Sequence, residues 1–282
     1  MARLLAIIAV VGSFGSDAPA QPVATRWGGK GHRLIAKHAC SALPDGMKDF
    51  YLAHREEIVD RVMEPDENRD KSWIDPWEPY YHYVNLDRWG APTRYPRSLP
   101  KGTQKYGFYP FVKNGILPWR VEELVGELAA AMKKGDTSRI LRLSAHLCHY
   151  AGDAHVPLHS CKNSDGQATR QRGVHARWES ELLDEYDPEW GMKKYLRQGK
   201  FLSSPKDAAF EALETSFSYV DEVLSADAQA DKGPGYSFKT FQRKAGWIAR
   251  KRLGQAATFT ASLWRTAWER AGKPKLPESA MP

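Results

Sequence analysis

The segment that decides the fold is residues 121–147, VEELVGELAAAMKKGDTSRILRLSAHL, near the middle of a 282-residue chain. Gly135 and Asp136, between two apolar runs, are typical of a helix stop and of the N-cap that begins the next helix. Intervals of three and four residues place side chains on one helical face, so the segment predicts two consecutive amphipathic helices. The apolar residues with this spacing are Val121, Leu124, Val125, Leu128 and Met132, then Ile140, Leu141, Leu143 and Leu147.

Helical periodicity recurs through much of the remaining chain. It covers residues 31–42, 174–186, 205–224 and 238–271, and no segment shows the two-residue alternation of a half-buried strand. Residues 65–118 differ, because they are rich in proline, glycine, tyrosine and tryptophan, and predict a long ordered loop over the helices. We therefore predict an all-α fold, a single-domain multi-helix bundle with one long loop.

The N-terminus has the pattern of a secretory signal peptide. Residues 4–11 form an apolar run too short to span a bilayer, and Ala18-Pro19-Ala20 places small residues where a signal peptidase reads them. We predict a signal peptide over residues 1–20 and one mature domain over residues 21–282, beginning at Gln21. The mature protein is expected to be a secreted or periplasmic monomer, and no later apolar run is long enough for a transmembrane helix.

The three cysteines are Cys40, Cys148 and Cys161. In an oxidising compartment Cys148 and Cys161, the nearer two in sequence, could pair and leave Cys40 over. Three buried thiols are an equally consistent alternative, because reduced cysteine behaves as a small apolar side chain. The formal net charge of +7 favours anionic partners such as nucleic acid or acidic phospholipid surfaces, although many basic surfaces serve solubility alone.

A set of histidines and carboxylates carries the chemistry. His149 and Asp153 are four residues apart, His159 follows, and His175 and Glu179 are again four apart. Each four-residue step puts two side chains on one helical face, where an imidazole and a carboxylate can share a metal ion. The proline-containing link before His159 ends the first helix and returns this histidine to the same cleft. Such a mix of nitrogen and oxygen ligands suits zinc.

Three further motifs lie upstream: WGGKGH at residues 27–32, PDENR at 65–69 and HYVN at 82–85. With the histidine pattern, they resemble the zinc-dependent single-strand nucleases of the fungal S-one and P-one type. That family shares a superfamily with bacterial zinc-dependent phospholipase C. The resemblance runs in order from Trp27 to about Glu179 and fades in the C-terminal hundred residues.

The resemblance implies two or three zinc ions. Two of its ligands, Trp27 and His32, would hold the third ion together with Asp153, and Trp27 would contribute the free amine of a mature N-terminus. A start at Gln21 would remove that amine, because Trp27 is freed only by a cut after Arg26. The first ion would be held by Asp66, His82, His149 and Asp153, and the second by His159, His175 and Glu179.

The implied reaction is attack of a zinc-activated hydroxide on phosphorus, with Asp153 bridging two ions and Arg69 neutralising charge on the phosphoryl oxygens. An ordinary salt bridge is the alternative role for Arg69. Tyr83 is the expected stacking surface for a base, and Asn85 stands where the family's nucleases tend to carry an aspartate that helps hold it. The main expectation is a nuclease acting on single-stranded RNA or DNA.

Two rival functions stay open. Glu179 is the residue that the phospholipases place where the nucleases usually place aspartate, which favours a zinc-dependent phospholipase C acting on phospholipid head groups. The sequence shows no exposed stripe of leucine, isoleucine or phenylalanine that such an enzyme would use as an apolar rim. The remoter rival is a non-catalytic, zinc-stabilised binding protein; structural zinc sites usually have four ligands, whereas His159, His175 and Glu179 number three.

Overall fold

The computed structural model describes residues 28–69, 71, 73–232 and 234–277, apart from the side chain of Trp190. All regular secondary structure among these residues is helical, which confirms the predicted all-α class. The predicted signal peptide, the Gln21 start and the Trp27 ligand all lie outside the described residues.

The described α-helices are joined by links of very different length, the longest of which runs from α4 to α5. Among the described helices, none combines the length and the apolar character that crossing a bilayer requires. The helices are α1 (Gly29–Ser41), α2 (Asp45–Ala53), α3 (Arg55–Arg61), α4 (Glu64–Asn68), α5 (Leu99–Tyr106), α6 (Phe108–Val112), α7 (Leu117–Lys134), α8 (Thr137–Asp153), α9 (Val174–Ala176), α10 (Leu182–Glu185), α11 (Glu189–Met192), α12 (Pro205–Phe217), α13 (Val220–Ala230) and α14 (Phe238–Arg270).

Shorter helical turns fill several of the links. A π-helix, Arg177–Glu181, joins α9 to α10, so the helical segment predicted over residues 174–186 is present with one widened turn. The 3₁₀ turns are Glu78–Tyr80, Pro92–Arg94, Pro157–Ser160 and Lys193–Tyr195.

The predicted junction between the two central helices is confirmed. Gly135 ends α7 with a φ of +67°, the left-handed conformation that glycine adopts without strain. The Asp136 side chain then accepts a hydrogen bond from the Arg139 backbone N–H at 3.1 Å, which caps the first turn of α8. The two helices pack against each other as an antiparallel pair.

Two sequence predictions about element boundaries were wrong. The single helix expected over residues 205–224 is two helices, α12 and α13, because the chain turns at Ser218, whose hydroxyl donates to the Thr215 carbonyl at 2.7 Å. The stretch expected to be an ordered loop, residues 65–118, contains most of α4, all of α5 and α6, and two 3₁₀ turns. These helices are short, so their apolar periodicity is too brief to be read from sequence.

The long helix α14 is the centre of the core. It packs against α1, α7, α8 and α13. Its Trp264 is fully buried, stacks on Tyr51 with ring centroids 4.6 Å apart, and donates its indole N–H to the Ser144 carbonyl of α8 at 3.1 Å. Contacts of this kind fix α8, which carries metal-ligand candidates at its C-terminal end.

All three cysteines are reduced and buried, so the proposed Cys148–Cys161 disulfide was wrong. Burial raises the pKa of the Cys40 and Cys161 thiols to about 12. The thiols therefore contribute to the apolar interior, as the alternative of three buried thiols predicted.

We expect Trp264→Ala to lower the free energy of unfolding by about 3–5 kcal/mol, because it leaves a large cavity and removes the indole hydrogen bond to α8. Urea unfolding followed by circular dichroism would measure this. The matched control is Trp73→Ala, since Trp73 is 79% exposed; a change in the control as large as that of Trp264→Ala would contradict the assignment of Trp264 to the core.

Candidate metal centre

The C-terminal end of α8 brings two candidate ligands together. His149 and Asp153 lie one turn apart on the same face and are completely buried. After α8 ends, Val156 is extended and the 3₁₀ turn Pro157–Ser160 directs His159 back towards Asp153, with His159 Nδ1 3.3 Å from Asp153 Oδ1. The predicted return of His159 to the cleft is therefore present.

The first group of candidate ligands is Asp66, His82, His149 and Asp153. His82 Nδ1 lies 2.9 Å from Asp153 Oδ2, 3.1 Å from His149 Nε2 and 3.5 Å from Asp66 Oδ1. His149 Nε2 lies 3.3 Å from Asp153 Oδ2 and 3.7 Å from Asp66 Oδ1. The four side chains come from α4, the loop after the Glu78–Tyr80 turn and α8, so residues far apart in sequence converge here.

These separations can be compared with a zinc site. Ligands about 2.0–2.1 Å from a tetrahedral zinc are roughly 3.3 Å from one another. The distances within the first group, 2.9 to 3.7 Å, bracket that value. The donor set of two imidazoles and two carboxylates and its geometry both fit a four-coordinate zinc ion.

The second group consists of His159, His175 and Glu179. His159 Nε2 lies 3.2 Å from both His175 Nε2 and Glu179 Oε1, and His175 Nε2 lies 3.0 Å from Glu179 Oε2. All three side chains are buried. The group thus offers three ligand atoms around one point, which leaves room for a fourth ligand from outside the protein.

The Asp153 carboxylate lies between the first group and His32. Its Oδ2 faces His82 and His149 of the first group, and its Oδ1 lies 3.6 Å from His32 Nε2 of α1. Oδ1 also lies 3.3 Å from His159 Nδ1, whereas His159 Nε2 faces the second group. A carboxylate with its two oxygens directed this way can bridge an ion of the first group and an ion beside His32, which is the bridge that the resemblance implies.

His32 supplies the described part of the third predicted site. It stacks on His149, with ring centroids 4.1 Å apart, and it can share an ion with His149 and Asp153. The close approach depends on Gly152, because a Cβ at that position would lie 2.7 Å from His32 Nδ1. An alanine at residue 152 would therefore push the imidazole out of place.

The buried polar atoms of these groups support a metal. In the described part of the chain, most buried side-chain nitrogen and oxygen atoms without a well-formed hydrogen bond belong to His32, His82, Asp153, His159 and Glu179. Buried polar atoms without such bonds are rare in folded proteins and commonly indicate a bound ion. The clusters are therefore compatible with metal binding.

Burial and neighbouring charges shift the pKa values of the clustered side chains strongly. The neighbouring histidines outweigh burial and hold the pKa of Glu179 at about 2. Although burial lowers it, the pKa of His159 is raised to about 10 by the carboxylates of Glu179 and Asp153. Burial and the neighbouring His149 lower the pKa of His32 to about 3. The carboxylates are thus ionised and suited to bind a cation.

Elements outside the cluster orient its ligands. His149 Nδ1 donates to the Val62 carbonyl at 2.9 Å and His175 Nδ1 to the Ser164 carbonyl at 2.8 Å, which leaves Nε2 of each ring for a metal. The segment that carries His175 and Glu179 is held by an ion pair. The Arg177 guanidinium, one residue after α9, lies 2.8 Å from the buried Asp227 carboxylate. The sequence analysis assigned no role to Arg177 or Asp227.

Three other predicted site residues lie at the edge of the cluster. Arg69 follows α4, three residues after Asp66. Burial raises the pKa of Tyr83 to about 12, and the charge of Arg69 acts in the opposite direction. The Tyr83 hydroxyl donates to the Lys113 carbonyl at 2.9 Å, and the Tyr83 side chain is half-buried. The Asn85 backbone N–H donates to the Asn114 carbonyl at 2.8 Å, so residues 83–85 run along the segment that follows α6.

Three further histidines, His38, His146 and His155, have partners outside the metal groups. His38 contacts Glu189 at 3.1 Å, His146 contacts Glu64 at 2.8 Å, and His155 donates to the Ala151 carbonyl. The structure therefore separates the ligand candidates from their sequence neighbours on the same helix.

No known family model matches the chain. A probable serine protease of Bradyrhizobium tropiciagri is 23% identical over 190 residues, which are 56% of this chain and 24% of that protein. The chain therefore spans about a quarter of that relative, and the likeness carries no activity with it.

Two solved structures resemble the fold. The alpha-toxin from Clostridium absonum matches with a TM-score of 0.51 and 14% identity over 85% of this chain and 64% of the toxin. The alpha-toxin of an avian strain of Clostridium perfringens matches with a TM-score of 0.51 and 12% identity over 86% and 64%. The chain has the alpha-toxin fold. The chain spans just under two thirds of each toxin.

We expect Asp153→Asn to remove most of the bound zinc and to lower the melting temperature, because the shared carboxylate then loses its charge while its histidine neighbours stay in place. Zinc per chain, measured by mass spectrometry after dialysis, tests this. His146→Gln is the matched control on the same helix and should keep its zinc. Equal zinc in Asp153→Asn and the wild type would contradict the bridging role.

Proposed function

We propose that this protein is a zinc-dependent hydrolase of phosphodiester bonds. The observation that carries the proposal is the position of Asp153, whose Oδ2 faces the first ligand group while its Oδ1 faces His32. Two ions held a few ångströms apart by one carboxylate form the arrangement that clamps a phosphoryl group in many phosphoesterases. The residues that would hold zinc are those of the two groups, with His32 and Trp27 for a third ion.

The chemistry that zinc supplies when bound is polarisation of phosphoryl oxygens and a lowered pKa of water, from about 15.7 to about 7. The second group leaves a coordination position open, because it has three protein ligands instead of four. This open position favours catalysis over the alternative of a non-catalytic, zinc-stabilised protein. Asp153 stays ionised throughout and takes no proton, since its pKa lies well below its usual range.

We assign to Arg69 the task of neutralising the phosphoryl oxygens. It ends α4, three residues after Asp66, a candidate ligand of the first group. A planar guanidinium can donate to two phosphoryl oxygens at once and stabilises the charge that develops on them.

The substrate that we favour is a phospholipid head-group ester. The two structures compared above are alpha-toxins. The fold comparison therefore supports a phospholipase C better than a nuclease. Glu179 also matches the phospholipases, as the sequence analysis noted. The protein is proposed to be secreted or periplasmic and monomeric.

The segment that carries Asp66 and His82 also displays apolar side chains. Among the described residues, most exposed large hydrophobic residues lie on it: Trp73 is 79% exposed, Ile74 60%, Phe108 45% and Tyr109 53%. Phe108 contacts Trp77 with ring centroids 5.5 Å apart, and Trp77 lies three residues after Ile74 in sequence. The sequence suggested no apolar rim because these residues are 34 positions apart at the two ends of the segment.

The charge of residues 88–118 suits an anionic surface. These residues include six lysine and arginine residues and no aspartate or glutamate, together with the exposed Phe108 and Tyr109. Exposed aromatic side chains among basic residues are typical of a surface that binds a phospholipid interface.

A nuclease is the second candidate, and Tyr83 favours it. Its ring is half-buried beside His82, where a base could stack without being read by sequence, and the basic segment would attract a phosphate backbone. The motif at residues 65–69 is the other nuclease-like feature. Single-stranded RNA and DNA therefore belong in the same assay as phospholipid.

We expect the purified protein to hydrolyse a soluble aryl phosphodiester, to lose this activity with a zinc chelator and to regain it with added zinc. Phosphatidylcholine vesicles, single-stranded DNA and single-stranded RNA are then compared as substrates, with Asp153→Asn as the metal-site control. Hydrolysis of phosphatidylcholine supports the favoured substrate. Cleavage of nucleic acid alone supports the second candidate, and zinc-independent activity or activity on none of these would contradict the proposal.

We expect Arg69→Ala to lower turnover about a hundredfold to a thousandfold while the bound zinc stays unchanged, because only the stabilisation of the phosphoryl charge is lost. Steady-state kinetics on the soluble phosphodiester, with zinc measured on the same samples, checks this. Arg61→Ala is the control. Arg61 is the last residue of α3 and pairs with Glu57 of the same helix and with Glu64 of α4. Loss of zinc in Arg69→Ala would show a structural role instead.

A further inference from the structure

Glu78 is a buried carboxylate to which the sequence analysis gave no role. It begins the 3₁₀ turn Glu78–Tyr80, four residues before His82, and it is only 7% exposed. A buried carboxylate is unfavourable unless nearby groups compensate its charge. The groups around Glu78 therefore indicate what it does.

Two side chains meet at one oxygen of Glu78. His82 Nε2 lies 3.3 Å from Glu78 Oε1, and the fully buried Tyr150 hydroxyl donates a short hydrogen bond to the same oxygen. These two contacts hold the Glu78 carboxylate in place.

The two nitrogens of the His82 ring have separate surroundings. Nδ1 faces the first ligand group, within 3.5 Å of Asp153, His149 and Asp66. Nε2 is buried on the other side, where Glu78 is the acceptor within reach. The distance of 3.3 Å becomes a hydrogen bond with a small rotation of either side chain.

We infer that Glu78 is the positioning residue of His82. Its carboxylate accepts a hydrogen bond from the His82 Nε2–H and so fixes the tautomer in which Nδ1 is free to bind the metal. This inference rests on the proposed zinc centre. Tyr150, next to His149 on α8, holds the Glu78 carboxylate and so couples two ligand-bearing elements.

The arrangement at His82 differs from that of two other ligand histidines. His149 and His175 donate their second ring nitrogen to backbone carbonyls, those of Val62 and Ser164. Only His82 of these three uses a carboxylate for this purpose. A carboxylate makes the imidazole a stronger donor to the metal than a carbonyl does, so Glu78 tunes the first ion in particular.

The test compares Glu78→Gln with Glu64→Gln in the full chain. Glu64 contacts His146 at 2.8 Å, so the control removes a glutamate–histidine pair that has no ligand histidine. Zinc affinity is measured by competition with a chelating dye, without substrate. We expect Glu78→Gln to weaken the binding of one ion about 10-fold to 100-fold and Glu64→Gln to leave both ions unchanged.

Replacing zinc with cobalt adds a second measurement, the visible absorption of the bound ion. This absorption reports the ligands of the ion and would not change if Glu78 only stabilised the fold. The visible absorption of the cobalt ion should shift in Glu78→Gln and, to a smaller extent, in Tyr150→Phe, and stay unchanged in Glu64→Gln. Melting temperatures recorded in chelator establish that each variant folds.

The outcomes separate the inference from the proposed function. Weakened binding in Glu78→Gln with an intact fold supports the inference, whether or not the phospholipid assay succeeds. A wild-type protein that binds zinc and a Glu78→Gln variant with the same affinity and spectrum would overturn the inference alone. A wild-type protein that binds no zinc would overturn the proposed function and the inference with it.

Discussion

The structure depends on the burial of one carboxylate. Asp153 is completely inaccessible to water, and a charge in that position is tolerated only when positive groups or metal ions surround it. Four histidines, from α1, the loop before α5, α8 and the turn after α8, approach its two oxygens. The centre therefore binds together elements whose apolar contacts alone would not fix their relative positions to within a few tenths of an ångström.

The core around α14 supplies the rigidity that such a centre requires. Trp264 and Arg252 of α14 both reach the segment that carries the ligands: the indole donates to the Ser144 carbonyl in α8, and the guanidinium donates to the His155 carbonyl just after α8. Among the described residues, no carboxylate lies within salt-bridge distance of the buried Arg252, and burial lowers its pKa to about 9. Its charge is instead distributed over several carbonyl and hydroxyl oxygens, so it acts as a cross-link between helices.

The sequence allowed the fold class and most of the centre to be predicted, because both depend on short, regular spacings. His149 and Asp153, and again His175 and Glu179, are one helical turn apart, and this local rule holds in the structure even where the second pair spans a π-helix. Contacts between residues far apart in sequence could not be predicted in this way. The approach of Glu78 to Tyr150, 72 residues away, depends on how a loop packs on α8, and no periodicity encodes it.

The segment from Asp66 to Phe108 shows why function is harder to read than fold. It supplies two candidate ligands to the buried cluster, and it exposes Trp73 and Ile74, which lie between these ligands in sequence, and Phe108, which lies 26 residues after His82. In sequence these side chains are scattered and resemble the ordinary packing of a loop; only the folded chain brings Phe108 against Trp77. Apolar side chains that stay in water give up the burial that would stabilise the chain. In the proposed function the same segment serves two demands, with an inner face that holds ions and an apolar outer face that contacts the lipid around the substrate.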